Sequence, residues 1–405
     1  MRVIHIITST DVGGAQIMLS RYLRALGSSR KSHSVIALMA QGPISKEFLS
    51  AGIPVHHFGL SPGAKSWRAM LDLRHKLATE SPDVIFGWMY HGCLAALIGR
   101  VGLRSTALVW GIHHSLADIK AEKASTRMVI RMMAALSHRV DGISYCSSTS
   151  RTQHEAIGYA RDRARVIPNA VNAAVFRPDH GARARLTELC GISKSSQIIG
   201  TVARNHPMKD HVAMVRTIAK LRANGRDVHG VLMGTGQANG PAQAEATVLG
   251  IADNISCLET RADVAALVPA FDAFLLSSAW GEAFPLAVAE AMAAGVPCIV
   301  TDVGDCAELV GPTGAVVPPR DLAAMARALS GILDLTPSER TASGLAGRAR
   351  VAERFSFDPY IAAHETFYAN ALDNRRRACV PAMPTAAADP NGQKTERTER
   401  PEAGR

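Results

Sequence analysis

Short apolar runs alternate with helix-period segments along nearly the whole chain, and that rhythm leaves few architectures open. RVIHIIT (2–8) precedes AQIMLSRYLRAL, HSVIALM (33–39) precedes a helix from about residue 44, DVIFGWM (83–89) precedes GCLAALIGRV, and TALVWGI (106–112) precedes KASTRMVIRMMAALSH. Apolar strands joined by helical crossovers predict parallel sheets covered on both faces. After GISYCSS, a helix and RVIPNAV, the segment NAAVFRPDHGAR has the Pro, Asn and Gly content of a connector. The rhythm then restarts with QIIGTVAR, VHGVLMGTG, NISCLE, DAFLLSS and PCIVTD. At 405 residues the chain is long enough for two cores. The expectation is an α/β protein with two doubly wound, Rossmann-like domains facing each other across a cleft. The first spans 1–175 and is joined by a last helix at about 358–374, and the second spans 176–357. A Pro-, Ala- and charge-rich tail over 375–405 is expected to be disordered.

Charge divides along the same line. Residues 1–175 hold 21 Lys and Arg against 10 Asp and Glu, whereas residues 176–375 hold 18 against 21, so the net charge of +10 lies in the first half. Such asymmetry predicts two surfaces with different partners. An aromatic content of 5% offers no basic-aromatic platform for nucleic acid. The first apolar run is too short for a secretory signal. The most apolar segment, 283–300, is broken by Pro285, Glu290, Gly295 and Pro297, so no membrane span is expected. Seven cysteines without a CxxC pair fit a reduced, cytoplasmic protein with core thiols and neither disulfide nor metal.

In doubly wound sheets ligands bind beyond the carboxyl ends of strands, so the residues after each strand carry the function. TSTDVGGAQ follows the first strand, where Gly13 and Gly14 let backbone amides approach an anion at the start of a helix; a tight turn is the alternative. The pattern is not GxGxxG, which argues against a dinucleotide site. Arg204 and Lys209 follow QIIGTV, where two cations can grip a diphosphate without a metal; a solvated pair near a helix start is the alternative. GTG at Gly234 to Gly236 bares backbone at another strand end. Glu282 and Glu290 flank the start of a helix at 285–294. A carboxylate accepts two hydroxyls in a fork, so two of them suit a polyol and a ribose. Between them the helix start at Phe284, Pro285 and Leu286 favours phosphate. A cap residue and a surface helix position are the plainer readings of the two acids.

GGAQ (13–16), VIPNAVNAAVFRP (166–178), VARNHPMKD (202–210), GTGQ (234–237) and the E-x7-E of 282–290 followed by AMAAGVPCIVTDVGDCAELV together resemble the retaining GT-B glycosyltransferases of family 4, also called glycosyl transferases group 1. The resemblance covers nearly the whole chain to about residue 375. It implies that Gly14 lies near the donor diphosphate, that Arg204 and Lys209 hold it, that Glu282 contacts the transferred sugar and that Glu290 contacts the ribose. WGIHHS implies a histidine beside the sugar's reacting carbon, with His113 matching best and His114 second. Ala170 and Asn172 depart from the family's PNGVD, which bears on hinge geometry. Ala283 and Gln237 depart without removing a charge.

The function expected from the resemblance is metal-independent transfer of a hexose, with retention, from a nucleotide-sugar, UDP before GDP. The acceptor is expected to be a glycan or lipid-linked hydroxyl in surface polysaccharide or glycolipid synthesis. No DxD occurs in the sequence, and no cofactor or metal is expected. Location is expected to be cytoplasmic, at the inner face of the membrane. Anionic lipid would meet the basic first half, and AKSWRAMLDLRHKL (64–77), with Lys65, Trp67, Arg68, Arg74 and Lys76, offers an interfacial helix; a solvated helix face is its alternative. Two rival readings are a nucleotide-sugar epimerase of similar architecture and a catalytically inactive scaffold. The scaffold reading predicts loss of cleft charges that are all present.

Overall fold

A computed structural model describes residues 1–61 and 67–379. Thirteen strands run among these residues: β1 (Val3–Ile7), β2 (His33–Met39), β3 (Val55–Leu60), β4 (Val84–Trp88), β5 (Ala107–Ile112), β6 (Gly142–Tyr145), β7 (Ala164–Val166), β8 (Gln197–Val202), β9 (Val228–Met233), β10 (Ile255–Leu258), β11 (Ala273–Leu276), β12 (Cys298–Thr301) and β13 (Ala315–Val317). They form two sheets, in the orders β3-β2-β1-β4-β5-β6-β7 and β10-β9-β8-β11-β12-β13, and every pairing is parallel. The doubly wound expectation holds in both halves. Strands β1, β4, β5 and β9 are buried at every position, as helices on both faces require.

Strand order reverses direction between β1 and β4 in the first sheet and between β8 and β11 in the second. Those two crevices are where a doubly wound sheet takes ligands. The loops after β1, β5, β8, β9 and β11, with the helices that follow the first and last of them, carry every candidate residue.

Strands β3 and β13 are additions to the sequence reading. VHHFGL carries two histidines and is only half-buried along most of its length, because it is an edge strand pairing with β2 alone. AVV has three residues, too few for a period to show. The last helix runs Phe357–Cys379, past the expected end at 374, so residues 375–379 are helical rather than tail. The remainder of the expected tail lies outside the described residues, as does Lys65. This helix lies against the first sheet, where Tyr360, Phe367, Tyr368 and Ala371 join one core with Val3, Val84, Phe86 and Val109. Among the described side chains six cysteines are free thiols, four of them buried. No helix among the described residues is long and apolar enough to cross a membrane.

Candidate functional site

The loop after β8 turns through a short 3₁₀ segment, Pro207–Lys209, into the helix His211–Ala223. Asp210 sits at the junction with φ +46°, and its carboxylate accepts the Ala213 N–H at 3.3 Å, capping the helix. That turn aims Lys209 at the loop after β11. There its Nζ meets Glu282 Oε1 at 2.5 Å, and Ser278 Oγ donates to the same oxygen at 2.5 Å. Glu282 is buried, which rejects the solvent-facing cap, and its Oε2 has no partner among the described residues. One oxygen is anchored and the other is left to accept a hydroxyl.

Gly304 holds this loop in place from β12. Its φ is +61°, and a Cβ there would lie 2.0 Å from the Glu282 carbonyl oxygen, so no side chain fits. Arg204, at the end of β8, is exposed and has no hydrogen-bond or ion-pair partner among the described residues. An unpaired guanidinium and a paired ammonium on one strand-end loop are a suitable grip for a diphosphate.

Gly234 and Gly236 serve differently from expectation. The Gly234 amide donates to Leu258 O at 2.9 Å and the Gly236 amide to Glu259 at 2.9 Å, so neither is free for an anion. Gly234 instead permits close approach, since a Cβ would lie 2.3 Å from Ala203 O, beside Arg204. The Gly236 and Ala238 amides on Glu259 also hold its carboxyl below the usual range.

The helix after β11 spans Leu286–Ala293, with Pro285 one position ahead of it. Pro285 has no N–H, so among the three residues named there only Phe284 and Leu286 can donate. Phe284 turns into the core against Phe355. Leu286 packs against the cores of both halves, which places the helix start at their junction. Glu290 is buried rather than on the surface, and burial pushes its carboxyl up while Arg21 opposes the shift. Arg21 Nη1 meets Glu290 Oε1 at 2.6 Å. Arg21 belongs to the helix Gly14–Ala25, which Gly13 leads into, so the structure sets the glycine pair's helix directly across from Glu290. A Cβ on Gly14 would meet nothing within 4 Å, so open space lies before that helix start.

His113 and His114 follow β5 and diverge. His114 Nε2 is engaged with Glu122 at 2.8 Å. The His113 ring stacks on Trp88 with centroids 4.8 Å apart and 11° between planes, and its Nδ1 meets Asn169 Oδ1 at 3.1 Å. Its Nε2 has no partner among the described residues. Burial lowers its pKa to about 4, so the ring is neutral near pH 7. Each ring thus has one nitrogen engaged and one without a partner among the described residues, so both keep an open nitrogen. No direct contact joins His113 to Glu282 or Lys209.

Arg21, Asn169, Ser278 and Asp305 were not foreseen. Asp305 accepts the Ser148 and Thr149 amides at 2.6 and 2.9 Å, capping the first-half helix Ser148–Ala156 from the second half.

A family model described as Glycosyltransferase Family 4 matches residues 12–175, and one described as Glycosyl transferases group 1 matches residues 196–334. The chain is a glycosyltransferase of family 4 type. The transferase is 26% identical over 298 residues to the MMP alpha-(1->4)-mannosyltransferase of Mycolicibacterium hassiacum, with 69% of each chain covered. It is 22% identical over 246 residues to the UDP-Gal:alpha-D-GlcNAc-diphosphoundecaprenol alpha-1,3-galactosyltransferase of Escherichia coli, covering 59% of this chain and 62% of that one. Its fold matches Anabaena Alr3699/HepE, solved with UDP-glucose, with a TM-score of 0.78 and 20% identity, covering 93% of this chain and 100% of that one. The architecture is GT-B.

Proposed function

We propose that this transferase moves a hexose, with retention and without a metal, from a UDP-sugar to a hydroxyl of a glycan or lipid-linked acceptor. The observation that carries the reading is the cation pair after β8: Lys209 locked on Glu282 at 2.5 Å, with Arg204 unpaired beside the same strand end. As the bond from sugar to diphosphate weakens, negative charge grows on the phosphate. Fixed cations and helix-start amides aimed there stabilise it without rearranging. Lys209 and Arg204 would take the diphosphate, with the Gly13–Gly14 helix start and the Phe284 and Leu286 amides around it. Glu282 Oε2 would accept a hydroxyl of the transferred sugar, and Glu290 would accept the ribose alongside Arg21. The neutral His113 ring would lie at the sugar's reacting carbon. The second half then holds the donor and the first half the acceptor.

Uracil as the base is supported by the HepE complexes with UDP and UDP-glucose and by the name of the Escherichia coli relative. That relative's name also supports a lipid-linked acceptor. The first half adds its own support. Its helix Ala124–Leu136 exposes Met128 and Met132 one turn apart, with Lys123, Arg127 and Arg131 around them, a surface suited to an anionic membrane.

Calorimetric titration of UDP, GDP and ADP in EDTA tests the reading. Micromolar binding of UDP, weakened by both Lys209→Ala and Glu290→Ala, is the expected result. Binding that needs a divalent cation would overturn metal independence, and no binding of any nucleotide would overturn the donor site.

A further inference from the structure

We propose that Asn169 is a positioning residue for His113: its side-chain oxygen holds the ring in the tautomer protonated at Nδ1 and leaves Nε2 as the lone pair turned to the ligand. The inference rests on the placing of His113 at the donor sugar given above.

Three surfaces fix the ring. β5 supplies its backbone, at the strand's carboxyl end. Trp88, at the end of the neighbouring β4, supplies a flat wall that is itself immobilised, because its Nε1–H donates to His5 Nδ1 at 3.1 Å. Those two contacts set the plane of the imidazole, but a ring lying flat on an indole can still turn within that plane. The Asn169 Oδ1 at 3.1 Å from Nδ1 removes this freedom. A carbonyl oxygen only accepts, so Nδ1 carries the proton and a neutral ring keeps its lone pair on Nε2. Asn169 is buried and cannot trade this contact for water freely.

Asn169 does not belong to either sheet. It follows β7 and stands two residues before Val171, whose N–H donates to Phe355 O at 2.8 Å, on the segment that carries the chain from the first half to the second. The acceptor that orients His113 therefore sits on the crossover, so a change in the angle between the halves would move it. His364, on the helix Phe357–Cys379, is the titratable group on which His113 acts; it is buried and neutral, and charge on His113 would disfavour charge on it.

The test is long-range ¹H–¹⁵N correlation on protein labelled at its 15 histidines, with His113 assigned by His113→Gln. It is read beside release of UDP from UDP-glucose and UDP-galactose with water as acceptor. In the unaltered protein His113 is expected as the single Nδ1–H tautomer. An Nε2–H ring, which the opposite orientation of the Asn169 amide would enforce, overturns the proposal. Asn169→Ala is expected to mix the tautomers and lower kcat about 10- to 100-fold, as loss of other orienting partners does, with the Kd for UDP unchanged. Asn169→Asp is expected to restore the Nδ1–H tautomer and raise the ring's pKa from about 4, because a carboxylate favours the imidazolium. Activity that needs the neutral ring is lost below that pKa, so the acid limb of kcat then moves to higher pH. Unchanged tautomer and unchanged kcat in Asn169→Ala would overturn the proposal. A mixed tautomer with unchanged kcat would leave the positioning intact and overturn the placing of His113 at the sugar. If neither donor turns over, the tautomer in the unaltered protein and in Asn169→Ala decides.

Discussion

Lys209 and Glu282 are each other's nearest charge, with side chains 16% and 6% exposed, and that reciprocity governs what substitution does to them. Removing the lysine leaves a buried carboxylate with only Ser278 to answer it. Breaking a buried pair from one side costs about 3–5 kcal/mol, whereas replacing both partners with neutral groups of similar size is far gentler. Lys209→Ala should therefore lose stability as well as activity, and activity alone would misreport its role. The double change Lys209→Met with Glu282→Gln is expected to recover most of the urea midpoint lost in Lys209→Ala while turnover stays down by about 10²- to 10³-fold. Equal midpoints for the single and double variants would show that the two side chains are not coupled in stability.

At the scale of elements, the helix Ala124–Leu136 has one face to explain. Its inner residues Val129, Ile130 and Met133 are core, and Met128 is 66% exposed on the other side. Met128→Asp with Met132→Asp is expected to weaken sedimentation with vesicles rich in anionic lipid by at least several-fold and to leave UDP binding unchanged; unaltered sedimentation would remove this helix from the membrane reading. The long buried strands and their order were legible in the sequence because continuous apolar runs with crossovers admit few arrangements. The edge strand β3 was not, since its histidines interrupt the apolar run. Within the site, the strand-end loops announced Lys209 and Glu282, whose partnership spans 73 residues along the chain but neighbouring strands in space. Arg21 on Glu290, 269 residues apart, and Asp305 on Ser148, 157 apart, were invisible for a different reason. Each joins the two halves, and the placing of one sheet against another leaves no period in either sequence. Asn169 lay inside a quoted motif, but only the stacked ring at Trp88 gives its oxygen a task.

Those same contacts set the behaviour of the whole molecule. Arg21–Glu290 and the Asp305 cap on Ser148 and Thr149 both run from one half to the other. A cap of this kind contributes about 1 kcal/mol, roughly a 5-fold bias in a two-state balance. Arg21→Met combined with Asp305→Ala is thus expected to enlarge the radius of gyration of the unliganded protein in small-angle scattering, with each single change giving a smaller increase. An unchanged radius in the double variant would mean that apolar contacts such as Leu286 hold the halves together without them. The helix Phe357–Cys379 has a further consequence, for synthesis. Tyr360, Phe367 and Tyr368 complete the core around Val84, Phe86 and Val109, yet they are made after the second half. On the ribosome the first half emerges first and must wait with an apolar flank uncovered, while the second half, begun later, can close its own sheet. The order of translation and the order of completion run opposite ways, and the interval between them is when this chain most needs a chaperone.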